Sequence, residues 1–84
     1  MWTVVFSKQA DKAMASLHPT MRKRVSDAID ALLVDPFKAR NVKALKGTAR
    51  LRLRVGGYRV VYELVNHRLI VIVIDVGPRG GIYD

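Results

Sequence analysis

Four arginines carry the strongest chemical signal in this chain. Arg50, Arg52 and Arg54 alternate with Leu51, Leu53 and Val55, and Arg59 follows just after Gly56 and Gly57. Alternation at period two marks a half-buried strand. A Gly-Gly pair between two such runs marks a tight hairpin, because the turns that suit strand twist need positive φ. That turn pairs Val55 with Tyr58, Arg54 with Arg59, Arg52 with Val61 and Arg50 with Glu63. One face then carries Leu51, Leu53, Val55, Tyr58, Val60 and Tyr62, and the other carries the four arginines. Like charges directly opposite each other cost a sheet roughly 0.2–1 kcal/mol, so a face that accepts them is suited to hold a polyanion.

Guanidinium groups bind phosphate bidentately and stay charged at any relevant pH. Such a cluster can bind RNA. It can also stabilise the dianionic phosphorane of a phosphoryl-transfer transition state. The second task needs a group to accept the 2′-hydroxyl proton and another to protonate the leaving oxygen. Arginine, with a pKa above about 12, is a poor base. Tyr83 is a phenol that can donate a proton, orient or stack on a base. Residue chemistry alone leaves it between that role and a frayed terminal aromatic. Tyr58 and Tyr62 fall on the leucine face and read as core.

The charge distribution supports a polyanion partner. Lys38, Arg40, Lys43, Lys46, Arg50, Arg52, Arg54 and Arg59 lie between Lys38 and Tyr62 with no acid among them, and the rest of the chain balances seven bases against seven acids. The whole net charge of +8 therefore comes from one segment, the footprint of a nucleic-acid or acidic-protein binder. Lys43, Lys46, Arg50 and Arg54 are the candidate nucleic-acid contacts. His18 and His67 sit at predicted turns away from any carboxylate cluster, so no metal site or cofactor is expected. No Ser/His/Asp arrangement, phosphate-cradling glycine loop or paired carboxylates appear. Cysteine is absent, which suits a reducing cytosol. Neither a signal peptide nor an apolar run near the ~18 residues of a membrane span is visible. At 84 residues, residues 1–84 are expected to form one domain.

The positioning elements follow from the pattern. Trp2 to Phe6 is β-branched and aromatic, a strand. Ser7 can cap a helix from Lys8, with Ala10, Ala13, Met14 and Leu17 on one face. His18-Pro19 breaks it, and Pro19 suits the first turn of a second helix. Met21, Val25, Ala28, Ile29, Leu32 and Leu33 give that helix its apolar stripe, with Arg22, Lys23, Ser26, Asp27 and Asp30 on its wet face, and Pro36 ends it. Phe37 to Ala49 reads as a basic loop. After the hairpin, strand Tyr58 to Val65 turns at Asn66-His67 into a third strand, Arg68 to Val76, apolar on both faces and so central or doubly covered. Gly77 to Gly81 reads as an irregular tail. The expected architecture is α+β, β-α-α-β-β-β, with the helical hairpin packed on an antiparallel sheet. Val61, Ile70, Ile72 and Ile74 would form a partly exposed apolar floor beside the arginines, a docking surface for a partner.

These residues resemble the RelE/ParE superfamily of type II toxin–antitoxin toxins, and more closely its RelE branch. The resemblance runs through L-L-V-D-P at Leu32 to Pro36, A-L-K-G at Ala44 to Gly47, R-L-R-V-G-G-Y-R-V-V-Y at Arg52 to Tyr62, and V-G-P-R-G-G-I-Y at Val76 to Tyr83. Arg79 with Tyr83 is what favours RelE. It implies a ribosome-dependent mRNA endonuclease that enters the ribosomal A site and cleaves the codon there. The attack is by the 2′-hydroxyl on its own phosphodiester, without a metal. It implies Arg52, Arg59, Arg79 and Tyr83 as catalytic residues, with Arg50 beside them, and a cognate antitoxin that wraps the toxin with a helix-containing segment. Well-studied members carry lysines at the positions of Arg50 and Arg52, so the proton acceptor here is unassigned. The alternatives are a ParE-like DNA gyrase inhibitor, which shares the fold and the Tyr58-Arg59 block, and a non-catalytic RNA-binding module.

Overall fold

The computed structural model describes residues 2–37 and 42–78. Strand β1 (Thr3–Phe6) leads into helices α1 (Lys8–Ser16) and α2 (Pro19–Val34), then β2 (Val42–Ala44), β3 (Leu51–Val55), β4 (Tyr58–Val65), a 3-10 turn (Asn66–Arg68) and β5 (Ile70–Pro78). The sheet runs β1-β5-β4-β3-β2.

Both helices start as their sequences dictate. Ser7 Oγ accepts from Ala10 N at 3.0 Å, capping α1, and donates to Ile74 O at 2.7 Å. His18 Nδ1 accepts from Thr20 N at 3.2 Å, with Pro19 at the first turn of α2. The break between them is held by Arg22. Its guanidinium donates to the carbonyls of Met14, Ala15 and Leu17 at 2.9–3.0 Å, at the helix end where carbonyls run out of intrahelical donors; Met14 O also accepts from Leu17 N. Sequence periodicity puts Arg22 on a wet face; it is exposed but acts as a clamp on α1. At the far end, the Asp35 carboxylate accepts from Phe37 N at 3.1 Å, and the rings of Trp2 and Phe37 meet edge to face at 5.7 Å.

The core lies between the helices and one face of the sheet. Ala10, Leu17, Val25, Ile29 and Leu32 pack against Leu53, Val55, Val60, Tyr62, Val71, Val73 and Val76. Each fully buried aliphatic side chain stabilises by about 1.5–3 kcal/mol relative to exposure. The hairpin has the expected register, Val55 with Tyr58, Arg54 with Arg59 and Arg52 with Val61. Gly56 takes the positive φ of the turn.

Four details differ from expectation. The sheet is antiparallel except at one edge, where β1 runs parallel to β5; the helical hairpin is the crossover that makes this possible. Part of the basic loop forms β2, paired with β3 through Val42–Leu53, Lys43–Arg52 and Ala44–Leu51. The β4–β5 connection is a 3-10 turn closed by Leu69 at φ 53, so the last strand starts at Ile70 and runs on through Gly77 and Pro78. Val61, expected to be partly exposed, is only 1% exposed, although it lies on the face away from the helices.

β5 also contains a bulge. Val61 pairs with Asp75 and Tyr62 with Val73, leaving Ile74 as the extra residue. Beyond it the faces exchange: Val76 enters the core opposite Val60, while Asp75 and Gly77 join the open face.

Tyr62 is fully buried, and its hydroxyl has no hydrogen-bond partner among the described residues. Burial pushes the phenol up to about 12 from its ordinary 10.0. The folded state thus holds this proton more tightly than the unfolded chain. Its contribution is intact below pH 10 and lost as the pH climbs towards 12. Tyr62→Phe removes an orphaned polar atom and should stabilise the fold at pH 7 by about 1 kcal/mol. Urea unfolding at several pH values should also show the variant losing less stability than the wild type above pH 10.

Candidate nucleic-acid interface

The open face of the sheet is divided. On β1 and the start of β5 it is apolar, with Val5 opposite Ile72 and Thr3 opposite Ile70. On β2, β3 and β4 it is basic. One row across the strands reads Lys43, Arg52, Val61, Asp75. The next reads Arg54, Arg59, Gly77. Arg50 lies at the start of β3, its Nε 3.4 Å from Glu63 Oε2, with both side chains about 40% exposed, so this pair contributes little stability. Its backbone is held by the turn before β3: Arg50 N donates to Thr48 Oγ1 at 3.1 Å, and Leu45 N donates to Arg50 O at 3.0 Å. Lys46 is exposed in that turn.

Arg54 and Arg59 are direct cross-strand partners, and the structure separates their charges. Arg54 is exposed, whereas Arg59 is buried at 7% exposure. The Arg59 guanidinium lies over Gly77 on the neighbouring strand, where a Cβ would stand 2.8 Å from Nη1. Its Nη2 is 3.8 Å from Asp75 Oδ2. The other Asp75 oxygen accepts from Val76 N at 2.9 Å. A buried guanidinium needs a countercharge, and Asp75 supplies it on the side away from Arg54.

The structure thus gathers Lys43, Arg50, Arg52, Arg54 and Arg59 on one face and leaves Lys46 at its rim. Arg79 and Tyr83, the remaining expected site residues, lie outside the described residues. Three contributors were not singled out from sequence. Asp75 is the one acid in the last strand, and only the bulge turns it towards Arg59. Gly77 leaves the space that guanidinium fills. Arg24 of α2 lies against the hairpin turn, its guanidinium 3.1 Å from where a Gly56 Cβ would stand, which adds a cation beside the basic face. Among the described residues no helix is long and apolar enough to cross a membrane.

A helical hairpin packed on one face of a five-stranded mixed sheet matches the solved structures of RelE toxins. The RelE–RelB complex from Pyrococcus horikoshii OT3 is similar at a TM-score of 0.81 and 30% identity, over 94% of this chain and 96% of that one. The intact RelBE toxin–antitoxin complex of E. coli is similar at a TM-score of 0.78 and 27% identity, over 96% of this chain and 100% of that one. The mRNA interferase toxin RelE of Escherichia coli (strain K12) is 29% identical over 75 residues, 88% of this chain and 79% of its own length. The chain belongs to the ParE toxin family of type II toxin–antitoxin systems, whose sequence model matches residues 2–83.

Gly77→Ala should push the Arg59 guanidinium out of its buried place beside Asp75, because the new Cβ would stand 2.8 Å from Nη1, and displacing a buried, paired charge costs stability. The expected result is a lower thermal midpoint together with about fivefold weaker binding of a short single-stranded RNA, roughly 1 kcal/mol, measured by fluorescence anisotropy at fixed salt and below the melting transition.

Proposed function

We propose that this chain is a RelE-like toxin that cleaves mRNA on the ribosome and is neutralised by a cognate antitoxin. The observation that carries the reading is the buried Arg59, braced by Asp75 and Gly77 beside Arg52 and Arg54. A guanidinium buried at the floor of a basic face and paired with a carboxylate is placed in advance for charge that develops on a phosphate. The likeness to the mRNA interferase RelE supports the same conclusion.

In this reading Arg59 and Arg79 hold the scissile phosphate and its developing charge. Arg50 and Arg52 position the RNA backbone, Arg54 and the lysines Lys43 and Lys46 bind RNA or ribosome, and Tyr83 orients a base or the reacting oxygens. The 2′-hydroxyl attacks the adjacent phosphorus, and none of these residues requires a metal. The setting is the cytoplasm. The antitoxin covers the apolar half of the open face, around Val5, Ile70 and Ile72, because that is where the sheet leaves apolar side chains open to a partner; the solved RelE–RelB complexes of similar fold support an antitoxin partner.

The family match also names ParE, which makes a gyrase poison the second reading. Mapping message ends in a translation extract separates the two. Cuts within ribosome-bound codons are expected, whereas DNA damage with intact message would support the ParE reading. Arg59→Ala should slow cleavage by roughly 100-fold or more, the usual loss when one preorganised donor to a developing anion is removed. Arg79→Ala should abolish growth arrest while leaving folding and antitoxin binding unchanged, and full arrest by that variant would overturn the assignment.

A further inference from the structure

Among the described residues the basic face is rich in cations that hold phosphate and has few carboxylates that can take a proton. Arginine does not release its proton at physiological pH, so Arg50, Arg52, Arg54 and Arg59 cannot activate a 2′-hydroxyl. Among the described residues, Glu63 and Asp75 are the carboxylates on this face. Glu63 is four residues from Arg59 along β4, about 13 Å at the rise of a strand, and it leans on Arg50. Asp75 Oδ2 is 3.8 Å from Arg59 Nη2. Its Oδ1 is fixed by Val76 N at 2.9 Å, which orients the carboxylate and leaves Oδ2 on the Arg59 side. At 3.8 Å the contact with Arg59 is an ion pair and too long for a hydrogen bond, so the Oδ2 lone pairs remain available. The carboxylate is partly open, with 23% of its side chain exposed.

We infer that Asp75 is the proton acceptor of the cleavage reaction, an inference that rests on the RNase reading above. A general base must come within hydrogen-bond reach of the proton it takes. The 2′-oxygen belongs to the nucleotide whose phosphate Arg59 holds, and among the described residues Asp75 is the carboxylate paired with that arginine. The 2′-hydroxyl proton passes to Asp75 Oδ2 as the O2′–P bond forms. The P–O5′ bond breaks, its electron pair leaves on O5′, and O5′ takes a proton from water. The products are a 2′,3′-cyclic phosphate and a 5′-hydroxyl. Asp75 then returns its proton to solvent.

The test is single-turnover cleavage of a ribosome-bound message by wild type, Asp75→Asn, Asp75→His and Glu63→Gln, with thermal unfolding of each to confirm folding. Asp75→Asn keeps the shape and the bond to Val76 N but cannot accept the proton. Its maximal rate should fall by roughly 100-fold or more, with the half-saturating toxin concentration little changed. Asp75→His should recover part of that rate, and its rate should rise with pH around neutrality, because only neutral imidazole accepts a proton. Glu63→Gln should stay within a fewfold of wild type. If Asp75→Asn is folded and cuts at the wild-type rate, or weakens only half-saturation, Asp75 is at most a brace for Arg59 and the inference fails. A pH-independent Asp75→His, or a larger loss in Glu63→Gln than in Asp75→Asn, overturns it equally. A wild type that leaves the message intact overturns the RNase reading and this inference together.

Discussion

The candidate site depends on one irregularity in the backbone, the bulge at Ile74. A regular β5 would carry its alternation straight through, sending Asp75 towards the helices and Val76 away from them. One extra residue exchanges those faces. The core receives Val76 opposite Val60, and the open face receives an acid and a glycine beside Arg59. Bulges of this kind re-aim side chains next to functional sites. Here the bulge is fastened from the other side: Ser7 Oγ donates to the Ile74 carbonyl while Ser7 N donates to Val73 O at 2.9 Å. The same hydroxyl caps α1. A single serine therefore links the parallel edge, the first helix and the strand segment that shapes the site.

The bulge also explains how the sheet tolerates so many cations. Opposed arginines on flat neighbouring strands would repel. Arg54 remains in solvent, while Arg59 turns across the adjacent strand into the space over Gly77 and towards Asp75. Arg50 leans on Glu63 at the other end of the hairpin. The face is held in place by local pairing and still carries an excess of positive charge. Its apolar neighbour, Val61, is shut away from solvent in the same row as Arg52 and Asp75.

Much of this was legible in residue order. The hairpin register followed from alternation and the Gly-Gly turn, and the two helices followed from Ser7, Pro19 and their apolar spacing. These are local signals, and local geometry decides them. Three features were not legible because they depend on distant partners. β2 has only three residues, too short for its Val-Lys-Ala alternation to mark a strand; β3 supplies its pairing. β1 looked like a strand but could not announce that it runs parallel to β5. Asp75 ends an apolar alternation that, read without a bulge, aims it at the core. The arginines were visible as a cluster, but their countercharge and the space for one of them come from a strand read as regular up to Val76 and irregular beyond it.

The pairing of β1 with β5 has a consequence for how the protein is born. Ser7 and Ile74 are 67 residues apart, yet they meet in the finished sheet. Contacts so distant in sequence slow folding and form late, because the chain must first give up the freedom of a long loop. During synthesis β1 emerges early and has no partner until β5 exists. The helices and the arginine hairpin can be made before the segment that braces Arg59. The chain thus carries its arginines before it carries the strand that braces Arg59, and the site is complete only when the last strand, Ile70–Pro78, has closed the sheet between β1 and β4.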